Sequence, residues 1–288
     1  MSFLNFRIRH NQLLLVLSIL LISSCKQKKK LIKSPPGYNF SQAQEYKLDI
    51  KLKEISGIAW DDARNEFLAH YDESGSLFLL DKASLYIKPG SPYKIAGKGD
   101  YEDVAIYKGT PYVLRSDGMI TKVIRDSTGM RGVEVGKIDI SGTNDFEAMY
   151  ADTARKALVI VCKNCEMDSK HEVSAFAFYP DSIGFVNDPV YRMNADSIKA
   201  MSPNKTSKFQ PSAASIHPVS KKLFIISSAA NQFVIADLDG KPEMVTELGK
   251  KLFPQPEGIT FKNNGDMYIS NEGVSSKGTV LRFEYKPK

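Results

Sequence analysis

One short phrase returns five times along the chain. Its copies are Glu54-Ile55-Ser56-Gly57-Ile58, Tyr101-Glu102-Asp103-Val104-Ala105, Phe146-Glu147-Ala148-Met149-Tyr150, Pro211-Ser212-Ala213-Ala214-Ser215 and Pro256-Glu257-Gly258-Ile259-Thr260. Aligned on the residue before the small or glycine-like position, they place Ser56, Glu102, Glu147, Ser212 and Glu257 in one column, at steps of 46, 45, 65 and 45 residues. A period near 45 residues, with several short strands in each unit, predicts a β-propeller.

Each repeat supplies the four strands of a blade. In the first they are residues 57–60, 66–70, 77–81 and 93–96, separated by Asp, Asn, Gly and Pro turns. The last repeat has three, at 258–261, 266–270 and 279–285, while the alternating stretch 46–52 has no blade of its own. That stretch is expected to fill the empty place and close the ring, leaving no open edge. The fold class is therefore all-β: a five-bladed β-propeller over residues 45–288, closed by an N-terminal strand. The long step comes from 195–209, where Asp196–Met201 reads as a short helical insertion in the third blade. A surface insertion is favoured there over a lid.

The chain begins differently. Arg7 and Arg9 precede an apolar run from Leu13 to Ile22, which is too short for a bilayer span of roughly 20 residues but suits a secretory signal. The run ends in Leu21-Ile22-Ser23-Ser24-Cys25, which resembles a bacterial lipobox, so residues 1–25 are expected to be a lipoprotein signal peptide with Cys25 lipidated. Acyl chains there would tether the protein to a bacterial membrane of the cell envelope, on its periplasmic or surface face. Residues 26–44, with Lys26, Lys28, Lys29 and Lys30 and then Ser34-Pro35-Pro36-Gly37, read as a basic and Pro/Gly linker.

Charge excludes one class of partner. Residues 1–33 hold seven Lys/Arg and no Asp/Glu, leaving 32 basic against 33 acidic residues beyond them. The basic character of the whole belongs to the leader, and nucleic-acid binding loses its compositional argument.

In a propeller the first strand of each blade lines the central channel, so the five column side chains should converge at one mouth. Three carboxylates in a partly shielded site either take up protons or hold a cation between them. Oxygen-only donors suit Ca2+, which accepts six to eight in flexible geometry; Zn2+ would call for His or Cys. Behind the column stand Glu54, Asp100, Asp145, Gln210 and Gln255, all polar and suited to supporting it.

Two resemblances follow from these residues. The phrases Ile55-Ser56-Gly57-Ile58, Phe146-Glu147-Ala148 and Pro254-Gln255-Pro256-Glu257-Gly258-Ile259 resemble those of the SdiA-regulated family of bacterial propeller proteins, which implies fold and localisation more than activity. The order Ser, Glu, Glu, Ser, Glu is similar to the central calcium site of apyrase-type calcium-activated nucleotidases. That resemblance implies calcium ligation by Ser56, Glu102, Glu147, Ser212 and Glu257. Phosphohydrolysis would also need cationic clamps; Arg115 and Lys163, at the ends of second strands, are the candidates for gripping an anion.

Other features carry less. Cys162-Lys163-Asn164-Cys165 is open to a structural disulfide, two reduced thiols or a redox pair. His70 is read as a strand-end surface histidine, with proton donation at the mouth as its alternative; Trp60 is read as core. No Gly-x-Ser-x-Gly and no phosphate-binding glycine loop occurs. Two functions remain open: a monomeric, calcium-binding propeller that offers a face to a protein or small-molecule ligand, and a calcium-dependent phosphohydrolase.

Overall fold

A computed structural model describes residues 33–287 apart from 204, 206, 207, 274 and 275. The apolar leader, Cys25 and most of the basic cluster lie outside the described residues.

The described chain opens with β1 (Gln44–Lys47) and then builds five antiparallel sheets of four strands. The first blade is β2 (Ile55–Asp61), β3 (Glu66–Tyr71), β4 (Ser74–Leu80) and β5 (Tyr93–Lys98). The second is β6 (Tyr101–Tyr107), β7 (Thr110–Arg115), β8 (Met119–Asp126) and β9 (Gly129–Lys137). The third is β10 (Asn144–Asp152), β11 (Ala157–Cys165), β12 (Glu172–Tyr179) and β13 (Gly184–Asn194). The helix α1 (Ala195–Met201) follows it, capped by Asn194, whose side chain accepts the Ser197 N–H. The fourth blade is β14 (Ala213–Ile216), β15 (Leu223–Ser227), β16 (Gln232–Ala236) and β17 (Pro242–Glu247). In the fifth, β18 (Pro256–Phe261), β19 (Met267–Asn271) and β20 (Thr279–Phe283) are completed by β1. The inner strands β2, β6, β10, β14 and β18 each neighbour the next, and β18 returns to β2, so the ring is closed. This is the expected five-bladed propeller with an N-terminal closing strand.

The core is not one mass but five apolar wedges, one between each pair of adjacent blades. Phe67 and Ala69 of β3 point into the wedge shared with the fifth blade, whereas Leu68 between them points into the wedge shared with the second. Both faces of such a strand are buried, so the run Phe67–His70 has no polar alternation; every residue in it is shielded. The inner strands approach closely enough to demand glycine at two places. A Cβ on Gly57 would lie 2.8 Å from the Val104 nitrogen of the next blade, and one on Gly258 would lie 2.7 Å from the Ser56 oxygen.

Two boundaries differ from the sequence reading. The closing strand is 44–47 rather than 46–52, because Asp49 accepts the Lys51 N–H at 2.9 Å and starts a 3-10 turn over Ile50–Leu52. Leu48 and Leu52 drop into the wedge between the fifth and first blades instead. The propeller also begins before residue 45. Tyr38 and Phe40 are buried between the fourth and fifth blades, and the Tyr38 hydroxyl donates to the Gly265 carbonyl at 2.6 Å. What reads as a linker is therefore, from Lys33 onward, part of the packed domain. Among the described residues no helix is long and apolar enough to cross a membrane.

Candidate functional site

The column residues sit where the sheets lose register. Pairing of β2 with β3 jumps from Ile55↔Tyr71 to Ile58↔Ala69, and that of β6 with β7 from Tyr101↔Arg115 to Asp103↔Leu114. In β10 it passes from Phe146↔Cys162 to Ala148↔Val161, and in β18 from Pro256↔Asn271 to Gly258↔Ser270. Each jump leaves out the column residue: Ser56 (with Gly57), Glu102, Glu147 and Glu257. A β-bulge of this kind bends the strand and re-aims the extra side chain. In the fourth blade Ser212 lies one residue before β14, its N–H donating to the Ile226 carbonyl at 2.8 Å.

All five side chains meet at one mouth of the channel. Ser56, Glu102, Glu147 and Glu257 line a cup of about 320 Å3 together with Asp72, Asp100, Asp145, Glu272 and Lys163. Ser212 lines an adjoining hollow of about 350 Å3 that shares Glu147, Glu257 and Lys163 and is flanked by Gln210 and Gln255. Carboxylate oxygens of Glu102, Asp145 and Glu147 lie within 4.8 Å of one another. Farther along the axis the lining mixes Ala105, Met149, Ala214 and Ile259 with Asp152, Ser215, Lys221 and Thr260, so it is the cluster of carboxylates, not polarity in general, that belongs to one end. Trp60 lies toward that other end, half-buried against Phe67 with the Lys262 ammonium 4.4 Å from its ring centre.

Crowding shows in the acidities. Burial, and then the charge and hydrogen bond of Asp100, push Glu102 up to about 9. Burial raises Glu257 to about 7, against hydrogen bonds from Ser228 and Ser212 that favour its anion. Asp145, Asp72 and Glu272 are also raised, by burial first and by neighbouring carboxylates after it. Such a site resists full ionisation even with the Lys163 ammonium beside it, and further positive charge would favour it.

The two serines are not equivalent. Ser212 Oγ donates to the Pro256 carbonyl at 3.1 Å and accepts the Ser228 N–H at 3.2 Å, tying the fourth blade to the fifth. Ser56 is 8% exposed, lines the cup, and its hydroxyl makes no hydrogen bond among the described residues.

Both basic candidates are already engaged. Arg115 forks onto Asp117 at 2.8 and 2.9 Å, with Glu134 at 3.6 Å. Lys163 points into the cup, ion-paired with Glu147 and 3.9 Å from Asp145. In both, neighbouring carboxylates already offset the positive charge that an anion would need.

His70 is a correction: it is buried, 1% exposed, behind the Ser56–Gly57 bulge rather than on the surface. Its Nε2 accepts the Gly57 N–H at 3.2 Å, and burial lowers its pKa to about 4. At neutral pH that nitrogen is an acceptor and has no proton to give. Cys162 and Cys165 form a disulfide within β11, which resolves the three readings of the pair. Asp72 and Glu272 join the cup although they lie at the ends of second strands rather than in the column. The signal for them was their position one residue past β3 and β19, at ends of second strands on the face of the column.

The comparisons agree with the fold and divide on chemistry. The backbone is similar to glutaminyl cyclase from Myxococcus xanthus, with a TM-score of 0.56 and 12% identity over 84% of this chain and 95% of that one. It is similar to glucose dehydrogenase, at 0.52 and 11% over 83% and 98%, and to luciferin-regenerating enzyme, at 0.51 and 11% over 85% and 97%. Those three names describe three different reactions, and at this identity the likeness is one of architecture. No curated protein sequence matches the chain. The family profile of the SdiA-regulated proteins matches residues 36–274, nearly the whole propeller including all five column positions. The chain belongs to the SdiA-regulated family.

Proposed function

We propose that this propeller is a lipid-anchored protein of the bacterial cell envelope that binds a calcium ion in its carboxylate cup and offers that face to a protein or small-molecule ligand. One observation carries the metal reading: four bulges on four separate blades aim Ser56, Glu102, Glu147 and Glu257 into one cup. The donor set is all oxygen, which is what Ca2+ takes. The unengaged hydroxyl of Ser56 and the ammonium of Lys163 among the carboxylates both fit a place for positive charge. Glu102, Glu147, Glu257 and Ser56 would hold the ion; Ser212, already bonded twice, would contribute less. The anchor reading rests on Leu21-Ile22-Ser23-Ser24-Cys25, with the lysines after it suited to anionic headgroups.

Calorimetric titration with CaCl2, beside MgCl2 and ZnCl2, tests the metal. Saturable binding of calcium, and a melting temperature lowered by EDTA and restored by calcium, are expected. A protein that takes up no calcium and melts identically in EDTA overturns the reading. The phosphohydrolase alternative rests on the Ser, Glu, Glu, Ser, Glu order alone. Seven carboxyl groups around the cup repel a phosphoryl group, and Arg115 and Lys163 are both paired with carboxylates. Calcium-dependent phosphate release from a nucleotide or phytate panel, abolished by Glu147→Gln, would reverse that preference.

A further inference from the structure

We propose that Lys163 is a built-in counter-cation of the cup: it balances the carboxylates when no metal is bound, and a divalent cation enters by displacing it. The second half of this statement rests on the metal reading above; the first half stands without it.

The backbone aims Lys163 inward as deliberately as it aims Glu147. Asp145 pairs with Asn164 and Phe146 with Cys162, so the ladder between β10 and β11 passes over Lys163 on one strand and over Glu147 on the other. The two bulges lie on either side of the Phe146–Cys162 pair, and their side chains form the ion pair. The Cys162–Cys165 disulfide brackets the bulge, and Asn164 accepts a hydrogen bond from the Lys208 ammonium at 3.1 Å. The disulfide therefore brackets the backbone under Lys163, and rotation about its four-carbon stem would carry the ammonium off Glu147 without moving that backbone.

Shielding gives the pair its weight. The side chains of Lys163 and Glu147 are 28% and 11% exposed, so this is not a solvated surface pair whose loss would go unnoticed. The cup holds seven carboxyl groups and one basic side chain. An ammonium and a divalent ion would compete for the same Glu147 oxygen, and like charges at contact distance in a shielded site repel strongly. Lys163 thus sets the affinity: it keeps the empty cup intact and makes the metal work against it.

The test compares wild type, Lys163→Met, Lys163→Arg and the double variant Lys163→Met/Glu147→Gln, each with and without calcium. Calorimetry should show Lys163→Met binding calcium about tenfold more tightly, with Lys163→Arg near wild type. Without metal, Lys163→Met should melt about 3 °C lower; Glu147→Gln in the same chain should recover that loss, and calcium should abolish it in the single variant. Equal or weaker calcium affinity in Lys163→Met overturns displacement. Unchanged metal-free melting in Lys163→Met overturns the counter-cation role. If no variant takes calcium, the metal reading falls on its own, and the metal-free melting series still decides whether Lys163 balances the cup.

Discussion

The Asp103 carboxylate, on the inner strand of the second blade, accepts the backbone N–H of Met149 on the inner strand of the third at 2.8 Å. Its other oxygen accepts the Val104 N–H at 2.8 Å, and burial pushes its pKa well above the usual carboxylate range. Asp103 follows Glu102 directly, so this cross-blade bond fixes the bulge that aims Glu102 at the axis. Elsewhere the equivalent position is Gly57, Ala148, Ala213 or Gly258. Replacing Asp103 with Ala leaves two buried N–H groups without partners, each costing about 1–3 kcal/mol. Urea unfolding should show a loss in that range or above it, with Asp103→Asn losing less because one acceptor oxygen remains.

The glycine after the column should be irreplaceable at the crowded blades. A Cβ on Gly258 meets Ser270 Oγ at 2.4 Å and the Ser56 oxygen at 2.7 Å, and the latter is backbone that cannot move aside. Gly258→Ala is expected to cost about 1–3 kcal/mol as an overpacked site. Gly97→Ala, where nothing lies within 4 Å, is expected to change stability by less than about 0.5 kcal/mol. Paired denaturation curves in EDTA separate the two; equal effects would contradict the close approach of β18 and β2.

Stability of the metal-free protein should fall with rising pH across the neutral range. Glu102 and Glu257 are raised from 4.5 to about 9 and about 7, so the fold favours their neutral forms. Their contribution is complete below pH 4.5 and is lost progressively as pH climbs toward 7 and then 9. Unfolding free energies at pH 7, 8 and 9 in EDTA, above the range in which the lowered histidines His70 and His217 act in the opposite sense, should decline in that order, and Glu102→Gln should flatten the decline. Excess calcium should flatten it too, because a bound cation favours the ionised carboxylates. A metal-free profile that rises with pH would contradict the crowding.

The disulfide should matter for position more than for stability. Cys162 and Cys165 close a loop of only a few residues, which the chain-entropy estimate values at about 2 kcal/mol. The double variant Cys162→Ser/Cys165→Ser should remain folded by circular dichroism and lose about that much in urea. Its calcium affinity should shift as well, because Lys163 lies inside the loop; an unchanged affinity would show that the bulge holds without its bracket.

The sequence by itself determined the number of blades, the helical insertion and the identity of the column, since a recurring phrase near every forty-fifth residue and strand-length apolar runs are local properties. It also determined that one chain end must complete the ring, because the last repeat lacks a strand. It set Arg115 and Lys163 at ends of second strands on the face of the column but did not determine which of those ends reach the cup. Asp72, Glu272 and Lys163 come from second strands and their turns, and only ring closure with its bulges brings them against Glu102, Glu147 and Glu257. Nor did it determine that His70 is buried or that Tyr38 and Phe40 pack between blades, because shielding depends on what the neighbouring blade supplies. Charge is written in the chain, but whether a charge is solvated, paired or crowded is a property of distance, and distance between blades exists only in the folded ring.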